Sequence, residues 1–183
     1  MVDLEAALPA SPEQVFALIS DHARLPEWAP FLRRVEVDVS GAAVAGGAGT
    51  LRTLHPKLGP PGRELILALE APRRLCYSAT DESLRGLGRA HKAELTIEPS
   101  GGGTRLRWVV EMIPPRGWAR RLFARWMFRW AARRSIRNLQ RHFAAAGNAR
   151  GQTRTDPTDG NAPAGRQSAI PDHDMSGRSA GGR

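Results

Sequence analysis

The chain has one cysteine, Cys76, one tyrosine, Tyr77, and two lysines, Lys57 and Lys92. A single cysteine excludes an intramolecular disulfide, so the fold rests on its core alone. Cys76 sits in the apolar run Leu75–Ala79 and reads as a small buried hydrophobe rather than an activated thiol. No uninterrupted apolar run approaches the roughly 18 residues that would span a membrane. The N-terminus, Met-Val-Asp-Leu-Glu, lacks a basic segment ahead of an apolar stretch, so a cytoplasmic protein is expected, with peripheral membrane contact left open. The five histidines, His22, His55, His91, His142 and His173, are scattered without ligand spacing, so no metal site is expected. Gly101-Gly102-Gly103 lacks the Lys-Ser/Thr of a phosphate loop, no Gly-x-Ser-x-Gly elbow occurs, and no cofactor is expected.

What is present is a sizeable apolar fraction, 41%, in 183 residues. That suits one domain plus a tail, the domain burying about two thirds of its unfolded surface. Val2–Leu8 reads as a strand. Ser11, Pro12 and Gln14 then spell an N-cap, a first helical position and a capping box, ahead of the apolar stripe Val15, Phe16, Leu18 and Ile19. A second short helix surrounds Leu25–Trp28. Strands follow at Val35–Val39, Thr50–His55, Glu64–Glu70, Leu75–Thr80, Ala90–Glu98 and Thr104–Ile113. Asp81–Arg89 reads as a loop, and Pro99–Gly103 as a five-residue hairpin turn. Pro114-Pro115 stops the last strand. Gly117–Ala146 then reads as one helix of about eight turns, with a C-cap at Gly147 and Asn148. The domain is thus expected over 1–147. Residues 148–183, rich in Gly, Ser, Pro and Arg, bury too little surface to offset their ordering entropy and are expected to be disordered.

Strands followed by one long helix argue an α+β fold with a curved antiparallel sheet, whose concave face only the last helix is large enough to fill. Strand parity places Leu106, Trp108, Val110 and Met112 inward, and likewise His91, Ala93, Leu95 and Ile97. Leu51, Thr53 and His55 oppose Thr50, Arg52 and Leu54. Leu65, Leu67 and Leu69 oppose Glu64, Ile66 and Ala68. The leucine parities are the expected lining. Trp118, Leu122, Phe123, Trp126, Met127 and Trp130 recur at helical spacing and are expected to face the sheet, with Trp28 and Phe31 closing the open end. A bent sheet over one helix leaves an apolar gap suited to a ligand. Its expected lining is Trp28, Phe31, Leu51, Leu67, Trp108, Val110, Met112, Phe123, Met127 and Trp130. Each of these is also an ordinary core residue in a filled interior.

Two stretches carry a family resemblance. They are Ala10–Asp21 with Leu25-Pro26-Glu27-Trp28, and Leu95–Pro99 with its glycine turn and Thr104–Trp108. Over about residues 2–146 they resemble the START-like or SRPBCC superfamily, in particular its polyketide cyclase/dehydrase and lipid transport subgroup. The resemblance implies a helix-grip fold, a curved sheet wrapped around a long C-terminal helix. It also implies a cavity for lipids, sterols, quinones or polyketides. Some members are cyclases or aromatases and others only bind or carry, so the fold does not decide between enzyme and carrier.

Three functional readings follow. The first is a carrier of a hydrophobic small molecule. The second is a cyclase or aromatase in the same cavity, for which His55, Tyr77 and His91 are the acid–base candidates. The third is a basic surface module with a filled core. The net charge is +9. Between Arg116 and Arg141 there are nine arginines and no acid. The arginine row reads as the solvated back of a core helix. Alternatively, Arg121, Arg125, Arg129 and Arg133 meet an anionic membrane, with Trp118, Trp126 and Trp130 at the interface. Nucleic acid is the weakest reading, because no recognition motif accompanies the charge.

Overall fold

The computed structural model of the chain describes residues 1–79, 91–113 and 115–152, with side chains as far as 147. The loop expected at Asp81–Arg89 and the tail from 153 lie outside the described residues. The elements run β1 (Val2–Leu8), α1 (Pro12–Ser20), a 3-10 turn (His22–Arg24), α2 (Leu25–Trp28), β2 (Leu32–Asp38), β3 (Leu51–Pro56), β4 (Gly62–Glu70), β5 (Arg74–Ala79), β6 (His91–Ser100), β7 (Gly103–Met112) and α3 (Trp118–Gln152).

The seven strands form one antiparallel sheet in the order β1-β7-β6-β5-β4-β3-β2. β2 to β7 meander, and β1 joins at the far edge by pairing with β7 from Val2↔Val110 to Leu8↔Thr104. The expected capping box starts α1. Ser11 Oγ accepts from the Gln14 amide at 3.4 Å, and Gln14 Oε1 accepts from the Ser11 amide at 3.1 Å. The β6–β7 turn is tighter than its sequence suggests. Pairing continues to Ser100↔Gly103, leaving a two-residue turn of Gly101 (φ 52°) and Gly102 (φ 85°). Both residues take the left-handed conformation that glycine adopts without steric cost. The strands absorb Pro99, Ser100 and Gly103.

α3 lies across the concave side, held to β1 by the Gln140 amide donating to the Ala7 carbonyl at 3.2 Å. It does not stop at Gly147-Asn148 but runs on to Gln152. Its face also differs from the expectation. Ala124, Ala132, Ser135, Ile136, Leu139 and Phe143 are buried, whereas Trp118, Leu122, Phe123, Trp126 and Trp130 are exposed. The buried face thus carries the small side chains of Ala124, Ala132 and Ser135 beside Ile136, Leu139 and Phe143, and the helix's own indoles are left outside. The core then joins Val15, Phe16, Leu18 and Ile19 of α1 to Ile66, Leu75, Leu95, Ile97 and Leu106 of the sheet. Cys76 is buried as expected, and burial pushes its thiol pKa up.

Candidate functional site

One transverse row of the sheet carries charge into the interior. The register aligns Arg52↔Glu64, Glu64↔Ala79, Ala79↔His91 and His91↔Met112 across β3 to β7. Side chains in such a row share a face. Arg52, Glu64 and His91 are all buried, at 2%, 7% and 7% exposure. Arg52 Nε donates to Glu64 Oε2 at 2.7 Å, and Nη2 forms an ion pair with the same oxygen at 2.7 Å. Ala79 stands between Glu64 and His91, and its methyl is too short to separate them. His91 Nε2 therefore reaches across β5 to within 3.5 Å of Glu64 Oε1.

Tyr77, from the adjoining row, lies under the guanidinium, with Arg52 Cζ 4.3 Å from the ring centroid. Its ring meets His91 edge-on at 5.9 Å. Phe128 of α3 also approaches the His91 ring, tilted, at 5.9 Å between centroids. Trp108 and Trp28 pack as a T-shaped pair at 5.9 Å. The network is closed at its other end by His22, whose Nε2 donates to the Gly46 carbonyl at 2.9 Å. Gly46 presents that carbonyl from a φ of 79°, a conformation that favours glycine. With Nε2 holding the proton, His22 Nδ1 faces Arg52 Nη1 at 3.5 Å as an acceptor.

The electrostatics follow from burial. Desolvation alone would raise the Glu64 pKa, but the Arg52 charge and the His91 and Arg52 hydrogen bonds outweigh it, and the carboxyl is held below its usual range. Burial first, and then the Glu64 charge, push the Tyr77 phenol well up. Desolvation is the main influence lowering His22, with the Arg52 charge adding to it. An imidazole depressed in the folded state gives stability that is whole above its unfolded value. That stability is lost as pH falls. Unfolding free energy is therefore expected to decline below pH 6.5 through His22. A second decline, through Glu64, begins only below 4.5. Denaturant titrations across this range should show both steps. In His22→Gln, which keeps a donor for Gly46, the upper one should vanish.

Of the residues expected in the lining, Trp28, Trp108 and Val110 are buried. Phe31, Met112 and Met127 are half-buried, with Phe31 packed against the core. Four are not inside. Leu51 is on the opposite parity from Arg52. Leu67 is 41% exposed, and Phe123 and Trp130 are 55% and 48% exposed. In β3 and β4 the leucine parity gives way because Arg52 and Glu64 are direct cross-strand partners and neutralise each other inside. A bulge between Ile66 and Ala68 then returns Leu69 towards the core. Of the acid–base candidates, His91 and Tyr77 are brought together in the network. His55 is not. Its Nε2 lies 3.3 Å from Glu36 Oε1, a carboxylate 54% exposed. His22, Arg52 and Glu64 escaped sequence reasoning, although the shared parity of Arg52 with Thr50 and of Glu64 with Ile66 was a signal of sorts.

Several buried polar atoms have no hydrogen-bond partner among the described residues. They include the indole nitrogens of Trp28 and Trp108, His91 Nδ1 and the hydroxyls of Thr50 and Ser135. The Trp108 Nε1–H, a donor, lies near the Tyr77 phenol oxygen and favours its ionised form, without a well-formed bond. Among the described residues no group of acids, histidines and cysteine is placed to hold a metal ion.

The sequence profile of the family described as polyketide cyclase / dehydrase and lipid transport matches residues 1–144. The chain belongs to this family. Uncharacterized proteins of Mycobacterium tuberculosis and Mycobacterium bovis are 30% identical over 145 residues, covering 76% of this chain and 84% of theirs. Among solved structures, the Bacillus cereus protein XoxI superposes with a TM-score of 0.63 at 19% identity, covering 78% of this chain and 94% of that one. The di-domain ARO/CYC protein StfQ of the steffimycin biosynthetic pathway superposes with a TM-score of 0.64 at 12% identity, over 80% of this chain and 52% of that one. These likenesses establish the helix-grip fold of the family for this chain.

Proposed function

We propose that the chain binds a hydrophobic small molecule between the concave sheet face and α3, and that the ligand is neutral and carries acceptor oxygens. The observation behind this reading is the buried network and the polar atoms left over around it. Arg52 spends its guanidinium on Glu64 and His22, so this buried cation is not free for a ligand carboxylate. Among the described residues the Trp28 and Trp108 N–H groups and the Thr50 and Ser135 hydroxyls have no well-formed hydrogen bond, Trp108 lying near the Tyr77 phenol, and such donors suit a ketone, quinone or phenol oxygen. The family description and the likeness to an ARO/CYC protein support a small-molecule role.

Cyclase chemistry in the same space asks for a proton donor and acceptor aimed at one reacting atom. Tyr77 and His91 are the pair it would use. The raised Tyr77 pKa suits a hydrogen-bond donor and not a base, and binding is the better supported reading. The test is thermal shift with a prenylated naphthoquinone, a hydroxyanthraquinone, a fatty acid and a long alkane. The neutral oxygenated compounds should stabilise the protein above the other two. Trp28→Phe and Trp108→Phe, which keep a ring and lose the N–H, should each weaken binding by roughly three- to tenfold, one hydrogen bond's worth. No shift with any compound, or preference for the alkane, would remove the proposal.

A further inference from the structure

The outer face of α3 has a composition that the interior does not explain. Trp118, Leu122, Trp126 and Trp130 recur every four residues and are 80%, 64%, 60% and 48% exposed. Each is followed three residues later by an arginine, Arg121, Arg125, Arg129 and Arg133, and the row continues to Arg137 and Arg141. Steps of four advance about 40° around a helix, so the two rows wind side by side along the same outer surface. The Trp126 and Trp130 rings are stacked at 6.5 Å, and Phe123 lies 6.1 Å from Trp126. Trp126, Arg129, Trp130, Arg133 and Arg137 line a shallow groove on this face. No acidic side chain occurs on α3. Among the described residues none of its arginines is in an ion pair; Arg121 donates to the Pro115 carbonyl at 3.3 Å.

Large contiguous apolar surface is uncommon on a monomer and marks a contact. Charge decides which. A second copy docking through the same face would bring two arginine rows together, so self-association is opposed. Nucleic acid would satisfy the arginines but leave Leu122 and Phe123 against phosphate and water. An anionic bilayer satisfies both rows, since guanidinium groups meet lipid phosphates while indoles favour the boundary between headgroup and acyl chain. No described helix is long and apolar enough to cross a membrane, so the contact is surface-parallel.

We propose that α3, from Trp118 to Arg137, is a docking face for anionic membrane, lying along the bilayer with its indoles at the headgroup boundary. This inference does not depend on the interior being a binding site. The test is co-sedimentation of the full chain with vesicles of phosphatidylcholine alone and of phosphatidylcholine with phosphatidylglycerol, with tryptophan emission recorded. Binding should require phosphatidylglycerol, weaken with salt and shift the emission to the blue. Arg129→Gln/Arg133→Gln should lower affinity on the order of 25-fold, from about fivefold per surface cation. Trp126→Ala/Trp130→Ala should abolish most of the blue shift and leave the melting temperature near wild type, because both rings are exposed. Equal binding to neutral vesicles, no binding to either, or salt-sensitive binding to RNA without vesicle binding would overturn the proposal. So would concentration-dependent dimerisation that protects Trp126.

Discussion

Arg52→Met is expected to destabilise the protein by about 3–5 kcal/mol, a loss of roughly 6–20 °C in melting temperature for a domain of this size. Arg52 is the most buried charged side chain described, and it spends two guanidinium nitrogens on Glu64. Removing it strands a carboxylate in an apolar interior with His91 as its nearest remaining donor, and removes the donor facing His22 Nδ1. The double variant Arg52→Met/Glu64→Leu should recover most of the loss, because replacing a whole buried pair by apolar residues is commonly neutral or stabilising. The cycle isolates the coupling between the two. If the double variant is as unstable as Arg52→Met, or the single costs under about 1 kcal/mol, the pair does not organise the interior as described.

Leu139→Ala should cost about 2–5 kcal/mol, whereas Trp126→Ala should stay within about 0.5 kcal/mol. The contrast runs against residue size. Leu139 is fully buried between α3 and the sheet, and its truncation leaves a cavity. Trp126 is the larger side chain but is 60% exposed, so its loss opens nothing. Urea unfolding of both variants measures the difference directly. The reverse order would mean that α3 presents its tryptophan row to the sheet and its small residues to water.

The strands, α1 with its capping box and the start of α3 were legible because they depend on local signals, whereas the expected cap at Gly147-Asn148 did not end α3, which runs to Gln152. The local signals are alternation, a Ser-x-x-Gln cap and turn residues. The outward direction of β3 and β4 was not legible from alternation. Leu51, Leu65 and Leu67 look like a core set until Arg52 and Glu64 are seen to be register partners, which is a fact about two strands and not one. The face of α3 was misjudged for a related reason. Its tryptophans dominate any hydrophobic count, but the buried face of the helix is the one that carries Ala124, Ala132 and Ser135, and its own tryptophans lie on the exposed face. His22 had no local mark, since its role depends on the Gly46 carbonyl, 24 residues away. His91 was legible from parity, and Tyr77 became assignable only when the register put it beside Ala93 and under Arg52.

The central claim is that the interior takes a neutral, oxygen-bearing hydrophobic molecule. Native mass spectrometry of the purified full chain, followed by organic extraction of the bound fraction, tests it most directly. The account predicts a one-to-one adduct whose extract is a ketone, quinone or phenol, and whose occupancy falls in Trp28→Phe and Trp108→Phe. A charged amphiphile as the bound species would contradict it. So would a protein that stays unliganded after incubation with the naphthoquinone and the hydroxyanthraquinone.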